Sequence, residues 1–124
     1  MNWTRAALLV LLFPSLVHSG TIIYICDYPR YSDINGSRDT KGEYRLTFMV
    51  DTETSEAYMA GNVGTADVKV YPREGGISFI EFTKSGNIMT TAIDSKGNSV
   101  HSRNTILFGE LEATQYHGSC EVRE

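Results

Sequence analysis

The chain has 124 residues, 41% of them hydrophobic, with 15 Asp and Glu against 11 Lys and Arg and a formal net charge of −4. That acidic balance argues against nucleic acid or anionic lipid as a partner. The length allows one domain with one modest core.

Residues 1–19 read as a secretory signal peptide. Arg5 supplies the positive start, Ala6 to Phe13 the apolar stretch, and Val17-His18-Ser19 a small-residue cleavage pattern. The apolar run is far shorter than the ~20 residues a membrane-spanning helix needs. Only one basic residue, Arg5, and no acid lies in this segment, so residues 20–124 are expected to form a single exported, acidic domain, periplasmic or secreted, with no membrane insertion.

From Gly20 onward the pattern is of short strands and turns. Thr21 to Cys26 is β-branched and aromatic, apolar on both faces, and reads as a covered strand. Asp27 to Gly42 has neither a helical nor a strand period and reads as a long loop. Within it, Asn35-Gly36-Ser37 has the form of a glycosylation sequon. Glu43 to Val50 alternates cleanly, with Tyr44, Leu46, Phe48 and Val50 on one face. Glu56 to Ala60 and Ala66 to Tyr71 follow, the latter with Ala66, Val68 and Val70 inward. Ile77 to Thr83 and Ile88 to Ile93 flank Lys84-Ser-Gly-Asn87, and Asp94-Ser-Lys-Gly-Asn98 has the form of a type I turn with Gly97 in the left-handed position.

The last quarter, Asn98 to Cys120, reads as a hairpin turning at Gly109-Glu110 as a type II′ turn. In that register Phe108 faces Leu111 and Ser102 faces His117. The face carrying Ile106, Phe108 and Leu111 is the more apolar one near the turn and is placed inward. It takes Ser102, Asn104, Gln115 and His117 inward with it, as a satisfied polar network or the floor of a ligand site. His101, Arg103 and Tyr116 then lie on the outer face as an alternative surface site, and a slip or bulge would exchange the two sets.

Cys26 and Cys120 are the only cysteines, and in an exported chain an even count means a disulfide more readily than a metal site. Strands at this spacing, first and last tied together, predict an all-β domain: a small antiparallel up-and-down barrel of about eight strands, with a two-sheet β-sandwich as the alternative. Its core is expected to be Ile23, Ile25, Tyr44, Leu46, Phe48, Val68, Val70, Phe79, Ile106, Phe108 and Leu111.

Two resemblances bear on this reading. The block His101-Ser-Arg-Asn-Thr105, Gly109-Glu-Leu111 and Gln115-Tyr-His-Gly-Ser-Cys120 resembles the ending of a group of small exported proteins from alphaproteobacteria, which implies export, one domain and the disulfide. Tyr24-Ile-Cys-Asp27 is similar to the start of the periplasmic C-type lysozyme inhibitors, small β-barrels that act on a protein partner. Their inhibitory loop has Ser-Gly, a basic residue and Tyr, whereas this chain has Ser85-Gly86-Asn87-Ile88-Met89 and matches only its beginning.

No nucleophile, base and orienting group recur at spacings that assemble an active site, and no metal or cofactor pattern occurs. Ser102 opposite His117 is the nearest approach to such a pair, and no carboxylate is placed to orient it. The expected function is non-enzymatic binding, by a monomer, of a small molecule or an envelope protein.

Overall fold

The computed structural model describes residues 20–42 and 44–124, so the expected signal peptide and Glu43 lie outside the described residues. Nine strands and no helix occur among them: β1 (Thr21–Asp33), β2 (Gly36–Asp39), β3 (Arg45–Asp51), β4 (Ala57–Gly61), β5 (Gly64–Arg73), β6 (Gly76–Phe82), β7 (Ile88–Asp94), β8 (Asn98–Leu107) and β9 (Glu110–Arg123). All ladders are antiparallel in the order β2-β1-β3-β4-β5-β6-β7-β8-β9, and β1 pairs with β9. The sheet therefore closes into an eight-strand up-and-down barrel, with β2 as an extra strand, and the sandwich alternative is set aside. Closure removes most of the exposed edge that an open meander of this length would leave.

The seam is covalently fastened, since Cys26 lies directly opposite Cys120 in the β1–β9 ladder and the two form a disulfide. The expected loop after Cys26 is instead ordered strand. β1 pairs with β3 from Thr21 to Asp27, then with β2 from Arg30 to Asp33. A bulge permits this: Tyr28 and Pro29 together oppose Gly118, and proline, lacking an N–H, costs least at such an irregularity. A Cβ on Gly118 would run into the Asp27 carbonyl oxygen and the Tyr28 Cα. The bulge restores inward direction to Tyr31 after Cys26 and Tyr28. It hides the strand period in the sequence.

The lower interior is packed. Phe48 stacks on Phe79 with centroids 4.3 Å apart, Tyr24 meets Phe79 edge-on, and Leu46, Val50, Val68 and Ile93 are buried around them. Tyr44 and Val70 pack partly against this cluster, but five members of the expected core do not belong to it. Ile23 and Ile25 are half-buried, alternating with Tyr24 and Cys26, and Ile106, Phe108 and Leu111 are exposed.

The β8–β9 hairpin explains why Ile106, Phe108 and Leu111 are exposed. Leu107 pairs with Glu110, so the two-residue loop is Phe108-Gly109, with φ of 52° and 79°, the primed geometry favoured in tight hairpins, rather than Gly109-Glu110. The pairing moves by one residue on each arm, so Ser102 faces Gln115 and His101 faces Tyr116. The inward face is the one carrying Ser99, His101, Arg103 and Tyr116. Apolar residues near the tip misled because the tip projects beyond the barrel core.

The turns at residues 34–35, 62–63, 83–87 and 108–109 share one end of the barrel, whereas the turns at 52–56, 74–75 and 95–97 occupy the other. The first end is the mouth. β5 crosses between its neighbours: Gly64–Val68 pair with β4, and Lys69–Arg73 pair with β6, with no residue shared. Towards the mouth, β5 and β6 diverge.

Candidate functional site

Register places the inward side chains of β6 to β9 in rows. Phe79, Thr91, His101 and Tyr116 form one, and Glu81, Met89, Arg103 and Thr114 form the next towards the mouth. β3 approaches from across the interior: the Tyr44 ring, just before that strand, stacks on Tyr116 with centroids 3.9 Å apart and planes within 9°. Tyr28, delivered inward beside the bulge, lies 6.1 Å from the His101 ring. The result is a layer of three tyrosines and a histidine above the packed phenylalanines.

This layer bounds a cavity of about 430 Å³ opening at the mouth beside the gap between β5 and β6. Leu46, Met59, Ala66 and Met89 form its apolar wall, and Tyr44, Glu81, His101 and Arg103 its polar one. A volume in this range with a few convergent polar groups suits a small-molecule site.

Two cations line the pocket, Arg45, which is paired with Asp27, and Arg103, which faces the buried ring of His101. His101 is 1% exposed, its Nδ1 joined to Thr91 Oγ1 at 2.7 Å. Burial, then the nearby Arg103 charge, push its pKa down to about 4, so the ring is neutral at ordinary pH. Burial raises the Glu81 carboxyl, with Arg103 opposing. Burial likewise raises the Tyr44 hydroxyl, and Arg103 opposes it both by its charge and by a hydrogen bond. Tyr28, hydrogen-bonded to Ser99 Oγ at 2.8 Å, is pushed up to about 12, chiefly by burial.

Two buried side-chain polar atoms among the described residues have no hydrogen-bond partner, Glu81 Oε2 and His101 Nε2. Both residues line this one cavity. Buried polar atoms are seldom left unpaired in native proteins. Glu81 and Arg103 do not relieve each other by an ion pair; in register they stand on either side of Met89.

The residues expected to form the inward site fall outside the barrel. Asn104, Gln115 and His117 are exposed and Ser102 is half-buried on the same outer face. Gln115 Nε2 donates to Ser102 Oγ at 3.3 Å, and His117 Nε2 and Ser32 Oγ are joined at 3.2 Å. A depression reaching His117 exists, but it lies on the outer wall beside Val100 and Asn98. The alternative trio His101, Arg103 and Tyr116 is the one that converges, inside rather than on the surface. Sequence reasoning places Tyr44 inward only as a core residue and misses Glu81 and Met89, for which the signal available is a lone carboxylate on the inward face of an apolar strand, Ile77-x-Phe79-x-Glu81.

Among the described residues, no group of three or more His, Cys, Asp and Glu side chains is placed to hold a metal ion. Comparison with protein-family models, with curated proteins and with solved structures finds no match.

Proposed function

We propose that this is an exported, non-enzymatic binding barrel that holds a small polar ligand in the mouth cavity against Tyr44, Glu81, His101 and Arg103. The observation carrying this reading is that Glu81 Oε2 and His101 Nε2, the two buried polar atoms without partners, line the same cavity. An unpaired buried polar atom costs about 1 to 3 kcal/mol, and a ligand that pairs both recovers that cost on binding. The disulfide is consistent with an oxidising compartment, which supports export. Charged side chains on the outer wall, such as Arg45, Asp67, Lys69 and Glu121, favour an aqueous exterior over a lipid-facing one. Binding without chemistry is favoured because the hydroxyl joined to His101, Thr91 Oγ1, is buried and does not line the cavity. Native mass spectrometry of the purified protein, with the His101 ring signals followed by NMR, tests the reading. A retained small molecule whose removal shifts those signals supports it, and His101 signals indifferent to every ligand found or added overturn it.

A second reading, a protein-binding module, is favoured by the hairpin tips at the mouth. Ile34, Val63 and Phe108 are 98%, 104% and 97% exposed, each on a different turn. Phe108 adopts φ 52°, where Asn or Gly is normally preferred. A residue unsuited to its turn on both grounds is expected where an outside contact holds it. A pull-down from envelope extract with the native chain and with Phe108→Asn tests this reading; a partner retained equally by both counts against it.

A further inference from the structure

Resting on the mouth-cavity reading, we infer that the ligand is a compact zwitterion of the amino-acid type, carrying an ammonium and a carboxylate together with an apolar portion. Glu81 and Arg103 present opposite formal charges to the cavity without an ion pair between them, while the third charged residue of its lining, Arg45, is paired with Asp27. Glu81 offers an unpartnered oxygen, Oε2, and an ionised carboxylate only accepts hydrogen bonds, so the group that meets it must donate. Arg103 offers only donors, so the group that meets it must accept, and a carboxylate matches the fork of the guanidinium. Met89 stands between the two in the row, so they approach the ligand from either side of an apolar floor.

A ligand with a single charge leaves one of these groups desolvated and unmatched. A simple carboxylate would satisfy Arg103 and be repelled by Glu81, and a simple amine would do the reverse. A molecule bearing both signs satisfies both and enters without net charge. His101 Nε2 supplies the third point. In the tautomer in which the Thr91 hydroxyl donates to Nδ1, the ring proton sits on Nε2, where it donates to the carboxylate. The ring needs no positive charge to do this. Leu46, Met59, Ala66 and Met89 give the apolar portion a wall without further polar demands, so discrimination among side chains is by size and hydrophobicity.

The test is a calorimetric and NMR titration of the intact oxidised protein with matched probes: leucine, its decarboxylated counterpart isopentylamine, its deaminated counterpart 4-methylpentanoate, and 4-aminobutyrate, in which the charges are farther apart. Leucine is expected to bind at least tenfold more tightly than either singly charged probe and to shift the His101 ring signals. Glu81→Gln and Arg103→Gln are each expected to weaken leucine at least tenfold, with near-ultraviolet circular dichroism reporting that the fold is retained. The probe series on the unaltered protein decides the matter should either variant fail to fold. Binding of 4-methylpentanoate or isopentylamine as tight as that of leucine overturns the zwitterion while leaving a ligand site in the mouth. Absence of binding by all four probes overturns the zwitterion as well, and a retained ligand of other chemistry that shifts His101 would then keep the mouth-cavity reading alone.

Discussion

Thr91 Oγ1 lies 2.7 Å from His101 Nδ1 across the β7–β8 ladder, inside the barrel. The ring is held neutral by burial and by Arg103, with its pKa lowered from 6.5 to about 4. In the unfolded chain the same ring protonates at higher pH, so the unfolded state gains the proton first as pH falls. Stability is therefore full above about pH 6.5, declines down to about pH 4, and stops declining for this reason below it, a loss of about 3 kcal/mol. Glu81, raised by burial, acts in the opposite sense. Denaturant midpoints measured across this window should fall with pH for the native chain, fall more steeply for Glu81→Gln, and flatten for His101→Gln.

Tyr28 and Ser99 make a second buried pair, 2.8 Å apart. Tyr28→Phe strands the Ser99 hydroxyl and should cost about 1 to 3 kcal/mol. Adding Ser99→Ala should restore part of that, and a double-mutant cycle measures the coupling. Because the Tyr28 hydroxyl is raised from 10 to about 12, stability should also decline between those values as pH rises, and Tyr28→Phe should blunt that decline.

Reduction of the Cys26–Cys120 bridge, 94 residues apart in sequence, releases the barrel seam. The chain-entropy model puts the loss at about 4 to 5 kcal/mol as an upper figure. Chemical unfolding with and without reductant, beside a Cys26→Ala/Cys120→Ala variant, should give similar shifts in midpoint.

Phe108→Asn should stabilise the hairpin, by about 0.5 to 1 kcal/mol, because Asn tolerates positive φ and removes a fully exposed ring from water. A gain in thermal midpoint together with lower self-association would check it. Gly118→Ala should do the reverse, by roughly 3 kcal/mol or more, since its new methyl meets backbone rather than a flexible side chain.

Much of this architecture was legible in the sequence. The alternation of Leu46, Phe48 and Val50, the turn at Asp94 to Asn98 and the two cysteines led to an up-and-down barrel closed by a disulfide. The glycine in that turn, Gly97, has φ 87° as expected, and Asp94 Oδ1 accepts from the Lys96 and Asn98 backbone amides. What failed did so for local reasons. The bulge at Tyr28 and Pro29 interrupts a period-two pattern, so the second half of an ordered thirteen-residue strand, from Asp27 to Asp33, reads as loop. In the last hairpin the alternation separates the two faces correctly, but the apolar tip points to a core and the polar row to a pocket floor, and the structure reverses both. The interior there is aromatic and charged, and a rule that sends hydrophobic residues inward fails where the hairpin tip projects past the core at an open mouth. The site was half visible: His101, Arg103 and Tyr116 were grouped, and their partners Glu81 and Tyr44 lie far away in sequence.

The handover on β5 determines where this ring can part. A closed barrel with a covalent seam cannot open where its first and last strands meet. The strain of any opening passes to the shorter ladders, four residue pairs between β3 and β4 and five on either side of β5, against ten between β8 and β9, and on β5 no residue is held by both neighbours at once. With the bridge intact, the wall should gape at Val68 and Lys69, midway along the sequence and beside the Glu81 wall of the cavity. Amide exchange should be fastest there within the barrel wall. Such a ring behaves as a clasp whose hinge is its disulfide and whose catch is β5, parting at one strand while the rest of the wall holds.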